Sequence, residues 1–508
     1  MKKFLAILCL ICALCATLAF AGCDYSWQPP DYPDYVVDES GHHIANIDRA
    51  AFIPVQDAPK TFVDVRDFGA SPDASADDNT AAIQAAIDQG SASGEAVLVT
   101  GGVYFTHTLR MRDDTKLFLA QGSGLSMPDY DDYDASQTDG ALILAEEVDN
   151  WTICGGGTLY GRGTEYTNEA ADPTLCKPLE TFALKEYVLQ MRARIRDRKS
   201  VGFNVIYAVD CNDVALSGFE IYESSHWTVR LQNCTNVAAS NLVIDNNIHV
   251  ANSDGIDICG GENITIDNCF IATGDDGIVL KSDTGAIKNV AVSNCSIFSL
   301  ANNFKIGTET VYDVSNVAVT DCHFFKAETA GGYAGIAIES ADGANVANVA
   351  VSNIVMDGVT SPLLVWLGCR LDNGNTSRRP GSVGNITILN VKATDVDIAS
   401  AIVGCNYDGT VYNVGNVVLD NFDITYRDCA ETLDIYQGDS VLDANMNGYP
   451  EITRVSHRYL ISHEMSEYYD IPYYGLYVDK AVNVMATNIN VTPRSCNTRA
   501  MANIPVQG

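Results

Sequence analysis

The segment Asn263-Ile-Thr-Ile-Asp-Asn-Cys269 recurs along the chain with small changes. Each copy alternates β-branched or apolar residues with small or polar residues, which is the two-residue period of a β-strand. An Asn or Asp then marks a turn, and another short apolar strand follows. The other copies begin at Asp213, Asn236, Asn289, Asn316, Asn348, Asn385, Asn416 and Asn483.

The spacing of the copies predicts the architecture. Successive copies begin 23, 27, 26, 27, 32, 37, 31 and 67 residues apart. Self-similarity of this length indicates a solenoid, and the units leave no room for a helix. We therefore predict an all-β fold, a right-handed parallel β-helix. The longer steps are interpreted as coils with loops inserted at their turns, and the last step as containing one or two irregular coils.

The segment before the first copy predicts a short N-terminal capping helix. Residues Thr61–Gly69 are typical of a strand and a turn, and the polar run Asp77–Thr80 precedes the amphipathic stretch Ala81–Ile87. A helix at this place would cover the open end of the solenoid. The first coils are assigned to residues 97–126 and 151–160, and a long inserted loop to residues 162–203.

The N-terminus is typical of an export signal. Lys2 and Lys3 precede an apolar run, and Ala21-Gly22-Cys23 resembles a bacterial lipoprotein cleavage site that would leave Cys23 lipidated. The alternative is an ordinary secretory peptide cut nearby. Either reading places the mature protein outside the cytoplasm, as an extracellular, periplasmic or membrane-anchored surface protein. The predicted parts are a signal (1–22), a tether (23–60), the β-helix (61–495) and a C-terminal tail (496–508).

The charge of the chain excludes one class of partner. The formal net charge is −34, and without residues 1–22 the chain keeps 65 acidic and 29 basic residues. Such a surface argues against binding to nucleic acid and suits an extracellular enzyme that acidity keeps dispersed. We expect a monomer whose partner is a polysaccharide.

The cysteines are expected to be structural. Cys269, Cys295 and Cys322 hold the same repeat position, which other copies fill with Phe, Leu, Ile or Val. We therefore predict stacked, buried thiols that act as small hydrophobic side chains. No Cys-x-x-Cys pair follows the export signal, so we expect no zinc site and no cofactor.

Two acidic motifs lie one repeat apart. Asn252-Ser-Asp-Gly-Ile-Asp257 is followed by Gly274-Asp-Asp-Gly277, so that Asp254 and Asp275 are 21 residues apart. Adjacent coils of a β-helix are about 4.8 Å apart, which would place these carboxylates side by side on one face. Such a cluster suits cleavage of a glycosidic bond, in which one acid protonates the bridging oxygen and another carboxylate activates water.

The geometry of the second motif requires an irregular backbone. Consecutive residues on a strand point to opposite faces, so Asp275 and Asp276 can both reach the cleft only if the backbone bends, which Gly274 and Gly277 would permit. Close like charges would also raise the pKa of one carboxyl and help to keep an acid protonated.

These residues resemble the family 28 glycoside hydrolases, the polygalacturonase-type β-helix enzymes. Asn252-Ser-Asp254 is similar to the family's Asn-Thr-Asp motif, and Gly274-Asp-Asp276 matches its Gly-Asp-Asp motif. The resemblance covers roughly residues 60–490. It implies that Asp275 is the acid, that Asp254 and Asp276 position and activate water, and that cleavage inverts the anomeric carbon.

Two departures from the family pattern bear on the substrate. Asn302 stands where the family has the His of a Gly-His-Gly motif, and Ala337-Ile-Glu339 stands where it has Arg-Ile-Lys. We therefore expect a rhamnogalacturonan, a substituted pectin or a less charged galactose-type polymer rather than plain polygalacturonate. The candidate substrate-binding residues are Asn252, Lys281, Asn302, Lys305, Glu309 and Glu339.

Two alternatives remain open from the sequence. A polysaccharide lyase on the same fold would need a basic catalyst, and often calcium, which the acidic cluster could hold. A non-catalytic glycan-binding surface protein would explain the missing His, Arg and Lys.

Overall fold

The computed structural model describes residues 47–506 apart from residues 135, 137–138, 167–201, 249, 251, 326–333, 370–378, 397–398, 408, 427–472 and 494–499. The predicted signal, Cys23, most of the predicted tether and most of the predicted inserted loop lie outside these residues. Within the described part, no helix combines the length and the apolar character needed to cross a membrane.

The described part is built almost entirely of short strands. In chain order the helices and strands are α1 Arg49–Phe52, β1 Phe62–Asp64, α2 Ala76–Ser93, β2 Ala96–Val99, β3 Val103–Phe105, β4 Leu109–Arg110, β5 Lys116–Leu119, β6 Gly124–Ser126, β7 Ala141–Glu146, β8 Asp149–Gly155, β9 Thr158–Tyr160, β10 Asn204–Val209, β11 Asn212–Ser217, β12 Glu220–Tyr222, β13 Val229–Gln232, β14 Cys234–Ser240, β15 Val243–Asp245, β16 Ile256–Ile258, β17 Gly261–Asp267, β18 Phe270–Thr273, β19 Ile278–Ser282, β20 Ile287–Ser293, β21 Ser296–Ser299, β22 Phe304–Thr310, β23 Val314–Phe325, β24 Ala334–Ser340, β25 Asn345–Asp357, β26 Ser361–Leu367, β27 Ser382–Val396, β28 Ser400–Val403, β29 Cys405–Tyr407, β30 Thr410–Tyr412, β31 Val414–Tyr426, β32 Tyr473–Asp479, β33 Ala481–Thr492 and β34 Ala500–Ala502.

The strands stack coil on coil in two large parallel sheets. The second sheet runs in the order β4-β7-β10-β13-β16-β19-β22-β24-β26-β28-β32-β34. The first sheet consists of two ladders, which merge where the continuous strand β23 pairs with both β20 and β21. The antiparallel hairpin of β29 and β30 stands apart from both sheets. The prediction of an all-β parallel β-helix is confirmed.

The recurrent Asn residues place a left-handed residue within one strand of each coil. The first Asn of each copy has a left-handed backbone conformation, as at Asn263 (φ 59°) and Asn289 (φ 57°), which Asn tolerates better than most residues. The side-chain amides also form a ladder along the solenoid. Nδ2 of Asn289 donates to Oδ1 of Asn263 at 3.0 Å, and Nδ2 of Asn316 donates to Oδ1 of Asn289 at 3.1 Å. One residue type therefore bends the strand and ties it to the next coil.

The interior of the solenoid is filled by the apolar positions of the repeat. Ile264 and Ile266 point inward from β17 and have no exposed surface. Cys269, Cys295 and Cys322 are free, buried thiols at the same position of successive coils, as predicted. The other cysteines in the described part of the chain are likewise buried.

Helix α2 covers the N-terminal end of the solenoid, as predicted, but it is longer than the sequence suggested. It begins at Ala76 rather than near residue 81, because Ser75 is the residue that caps it. Oγ of Ser75 accepts a hydrogen bond from the backbone N–H of Asp78 at 3.1 Å, so Asp77 and Asp78 lie in the first turn. The helix buries Ile83 and Ile87 against the first coils.

The two ends of the described chain add contacts to the outside of the stack. Within the predicted tether, Phe52 packs against Phe270, with ring centroids 5.7 Å apart.

Toward the other end, β31 pairs directly with β33. The interpretation that the 67-residue step contains additional coils is therefore wrong, because no coil separates these two strands in the stack. Strand β34, which lies within the segment predicted as a tail, pairs with β32.

Candidate active site

The acidic residues occupy one turn position that repeats from coil to coil at the start of the second sheet. Asp254 lies two residues before β16, and Asp276 lies two residues before β19. Because β13, β16, β19 and β22 pair in register, Trp227 and Asn302 hold the same position one coil to either side. Four successive coils therefore stack Trp227, Asp254, Asp276 and Asn302 in one row.

The three predicted catalytic carboxylates converge. An oxygen atom from each of Asp254, Asp275 and Asp276 lies within 4.8 Å of the others. Asp254 and Asp276 are buried, whereas Asp275, one residue before the row, is half-buried. The two aspartates of the second motif therefore do reach the same place.

Crowding explains the glycines on either side of this pair. A Cβ at Gly274 would lie 2.5 Å from the carbonyl oxygens of Ile248 and Val250, and one at Gly277 would lie 2.3 Å from Cγ2 of Ile297. Neither glycine is in the left-handed region. They are needed because the neighbouring coils approach the turn too closely for a side chain.

The first motif is fixed by its serine. Oγ of the buried Ser253 donates to the carbonyl of Val250 at 2.7 Å and accepts from the N–H of Gly274 at 3.1 Å, which ties the two acidic turns together. Asn252 has a left-handed backbone (φ 57°), and its N–H donates to Oδ2 of Asp275 at 3.3 Å. The Asn252 side chain is exposed at the rim of the site.

Lys281 lies under the first motif. Its Nζ donates to Oδ2 of Asp254 at 2.7 Å and to Oδ1 of Asp257 at 2.6 Å, and it lies 3.8 Å from the centroid of the Trp227 ring. The Lys281 side chain and both carboxylates are buried. One buried ammonium group is therefore shared between two buried carboxylates and an aromatic face.

This burial shifts the pKa values of the three groups. Burial raises the pKa of Asp254 well above its usual range; the Lys281 charge opposes this, while Asp257, Asp275 and Asp276 add to it. Burial likewise raises the pKa of Asp257 to about 6, against the effect of Lys281. Burial disfavours the charge on Lys281, but Asp254 and Asp257 outweigh it and raise the pKa of Lys281. The expected elevation of a carboxyl pKa therefore falls on Asp254, and burial contributes more to it than like charges do.

Asp276 has its own set of partners. Its Oδ1 accepts from the backbone N–H of Asn302 at 3.1 Å and from Nδ2 of Asn302 at 2.8 Å, and its Oδ2 accepts from Nζ of Lys305 at 3.1 Å. Oδ1 of Asn302 in turn accepts from the N–H of Ala334 at 3.1 Å. Asn302 and Lys305 therefore hold Asp276 from two sides.

The other predicted substrate-binding residues lie further along the second sheet. Glu339, on β24, is fully buried, and Glu309 is half-buried near the irregular end of β22. Ala337 pairs in register with Lys305 and is also buried. A direct contact of Glu309 or Glu339 with a sugar stays a prediction.

The carboxylate trio is the one group of potential metal ligands found among the described residues. Lys281 and Lys305 already place positive charge against Asp254 and Asp276. Two ammonium groups in contact with the cluster disfavour a divalent cation there, because they repel it and occupy the carboxylate oxygens it would need.

Sequence reasoning missed Arg230, on the outward face of β13. Its guanidinium carbon lies 4.7 Å from the ring centroid of Tyr207 and 5.0 Å from that of Trp227. The alternation of Val229-Arg-Leu-Gln232 carries the signal, because Val229 and Leu231 are buried and Arg230 must then point away from the core.

Comparison with known proteins agrees with the family resemblance and the fold. The model of the family described as Glycosyl hydrolases family 28 matches residues 95–437. A polygalacturonase from Persea americana is 24% identical over 76% of this chain and 82% of its own length. A polygalacturonase from Malus domestica is 25% identical over 70% of this chain and 73% of its own.

Solved structures share the β-helix. The family 28 exopolygalacturonase of Yersinia enterocolitica superposes with a TM-score of 0.61 at 17% identity, covering 89% of this chain and 79% of that one. The exopolygalacturonase of Thermotoga maritima superposes with a TM-score of 0.56 at 18% identity, covering 74% and 90%. At such identities the structures establish the fold alone. With two thirds of the sequence matched by the family model, the chain belongs to the glycosyl hydrolases of family 28.

Proposed function

We propose that this glycoside hydrolase cleaves a pectin-type polysaccharide containing galacturonate or galactose, with Asp254, Asp275 and Asp276 as its catalytic residues. The convergence of these three carboxylates within 4.8 Å carries the proposal. Holding three acids this close costs free energy because like charges repel, and such clusters are typical of functional sites.

The contacts support different roles for the three acids. Asp254 and Asp276 are each paired with a buried ammonium group, and at Asp254 the Lys281 charge opposes the burial that raises the pKa of this carboxyl. Asp275 is the least buried of the three, so it is the best placed to reach a glycosidic oxygen as the acid. Lys281, Asn302 and Lys305 then serve as positioning residues for the bases rather than as direct substrate contacts.

Inversion is proposed on the family resemblance. The spacing of the carboxylates does not favour it: inverting enzymes typically separate acid and base by roughly 6.5–9.5 Å, and retaining enzymes by roughly 5–5.5 Å. Nuclear magnetic resonance of the product released in the first turnovers distinguishes the two, since inversion and retention give opposite anomers.

The location of the enzyme is also proposed. The apolar N-terminal run and the Ala21-Gly22-Cys23 motif support export with a lipid anchor at Cys23, and the acidic composition supports work outside the cytoplasm as a monomer. Membrane fractionation of the wild type and of Cys23→Ala tests the anchor, because only the wild type is expected in the membrane fraction.

The activity is tested on a panel of polygalacturonate, rhamnogalacturonan, branched pectin and galactan, with wild type, Asp275→Asn and Asp423→Asn compared. Asp423 is exposed on β31, away from the trio, so its substitution is a matched control. New reducing ends that are lost only in Asp275→Asn support the proposal. Unsaturated ends would identify a lyase, and full activity in Asp275→Asn would contradict the assignment of the acid.

A further inference from the structure

Arg230 is a half-buried cation close to the proposed catalytic residues. Its guanidinium group is enclosed by the rings of Tyr207 and Trp227, and its Nη2 donates to Oε1 of Gln232 at 3.0 Å. Oε1 of Gln232 also accepts from the hydroxyl of Tyr207 at 2.8 Å. Two rings and a shared amide therefore fix the plane of the guanidinium group.

The two buried lysines of the candidate active site are held in ion pairs, but Arg230 is not. Lys281 and Lys305 form ion pairs with Asp254, Asp257 and Asp276. No ion pair joins Arg230 to a carboxylate of the described chain, and its Nε is buried without a hydrogen-bond partner there. A buried N–H donor left unmatched costs free energy, so the structure holds Arg230 in this place at a cost.

The position of Arg230 follows the line of the proposed cleft. Arg230 pairs in register with Asp257 on one side and with Tyr207 on the other, so the three share one outward row of the second sheet. Trp227 occupies the same turn position as Asp254, one coil earlier. Trp227 and Arg230 therefore lie one coil, or about 4.8 Å, to the N-terminal side of Asp254 and two coils from Asp275 and Asp276, and Tyr207 lies one coil beyond them.

The chemistry of this group fits a carboxylate on a sugar. A planar guanidinium group next to two aromatic rings carries N–H donors that match a carboxylate in a two-pronged contact. The indole and phenol rings beside it are half-buried, so part of each ring remains exposed next to the cation. Uronic acid units carry such a carboxylate on a sugar ring.

We propose that Tyr207, Trp227 and Arg230 form a subsite that binds a uronate unit of the substrate, with Arg230 contacting its carboxylate. The proposal rests on the proposed function, since it places this unit next to the bond that is cleaved. The competing explanation is that Arg230 only balances the nearby charges of Asp257 and Asp283, both of which it influences electrostatically.

The test compares polymers that differ only in charge. Polygalacturonate and a rhamnogalacturonan backbone are each used intact and after carbodiimide-mediated reduction of their carboxyl groups to alcohols. The enzymes are wild type, Arg230→Gln, Arg230→Lys and Arg112→Gln. The last is the control, because Arg112 forms an ion pair with Asp88 on helix α2. The measured quantity is the ratio of kcat/KM on the intact polymer to kcat/KM on its reduced form.

Wild type and Arg112→Gln are expected to favour an intact polymer by about 10- to 100-fold, the effect of one charge-assisted contact. Arg230→Gln should abolish this preference while keeping its rate on the reduced polymer, and Arg230→Lys should restore only part of it. Equal losses on both forms would show a structural role and overturn the subsite.

A binding measurement separates this proposal from the catalytic one. Calorimetric titration of Asp275→Asn, with and without Arg230→Gln, uses a galacturonate oligomer and its reduced form as probes. If wild type cleaves none of the polymers, the proposed function fails, but a preference for the charged oligomer that depends on Arg230 still supports the subsite. Equal affinities for both oligomers contradict it.

Discussion

Lys281 and Asp254 form a buried ion pair in which Nζ lies 2.7 Å from Oδ2, and the same ammonium group also binds Asp257 at 2.6 Å. One positive charge thus faces two carboxylates inside the protein. The group of three has two carboxylates and one ammonium group. One carboxylate can therefore be protonated while the other keeps its ion pair with Lys281. If Asp254 is a base that activates water, Lys281 controls how far the pH must fall before that base is lost.

Replacing Lys281 with Met is expected to move the acidic limb of the kcat/KM profile to higher pH. The ammonium group lowers the pKa of Asp254 against the larger effect of burial, so its removal raises that pKa further. The base is then ionised only at higher pH, and we expect a shift of about one unit or more. Lys281→Arg keeps the charge and is the control. An unchanged limb in Lys281→Met would rule out this role.

Replacing Asp257 with Asn is expected to change how stability depends on pH. The pKa of Asp257 is raised from 3.8 to about 6 in the folded protein, so the folded state binds the proton more tightly than the unfolded state does. The proton on Asp257 therefore stabilises the folded protein fully below pH 4, and this stabilisation is lost as the pH rises through about 6. The free energy of unfolding changes by about 3 kcal/mol over this range.

The Asp257→Asn variant lacks this loss, so it should gain stability relative to wild type between pH 4 and pH 7. Thermal unfolding midpoints of both proteins across that range measure the gain. A difference between the two midpoints that does not vary with pH would contradict the pKa shift. Since Asp257 also raises the pKa of Asp254, the acidic limb of the activity profile should move to lower pH, opposite to Lys281→Met.

Gly277→Ala is expected to reduce both stability and activity. The added Cβ would lie 2.3 Å from Cγ2 of Ile297 and 2.6 Å from the carbonyl oxygen of Asn303, so the turn that carries Asp276 must shift. Overpacking of this kind costs about 1–3 kcal/mol. Gly415→Ala on β31 is the matched control, because its nearest neighbour would be 3.9 Å away. Equal melting temperatures for the two variants would show that the turn can relax.

The amide ladder is tested at Asn289, which links Asn263 and Asn316. Asn289→Ala removes both hydrogen bonds and places Ala at a left-handed φ of 57°, whereas Asn289→Gly removes the hydrogen bonds without that strain. Both variants should unfold at lower denaturant concentration than wild type, and the Gly variant should be the more stable of the two by about 1 kcal/mol. The reverse order would mean that the backbone at this residue is not constrained.

Much of the fold could be predicted because the repeat is local. Asn263 and Cys269 reveal the bend and the inward position without knowledge of any other coil, and stacking follows from their recurrence. The helix boundary was harder, since Ser75 and Asp77 are both good capping residues and only the backbone geometry decides between them. The prediction of extra coils before Asn483 failed because the length of an insertion does not reveal whether it enters the stack.

The site was predictable in part. Asp254, Asp275 and Asp276 carry their own sequence motifs, so their proximity follows once the coils stack. The partners of these residues do not follow. Whether Lys281 meets a substrate or Asp254 depends on which side chains the register brings together across coils, and on the depth of the cleft. Arg230 lies in no motif, and its place between Tyr207 and Trp227 is a property of two coils rather than of any one segment.

The direct pairing of β31 with β33 has a consequence for how this solenoid can change. Strand β31 ends at Tyr426 and β32 begins at Tyr473, yet β31 pairs directly with β33. The number of residues in a connection therefore does not determine the length of the stack of coils in this protein. A sequence inserted between β31 and β32 need not shift the stacked coils. This connection is therefore a natural place to insert a foreign domain.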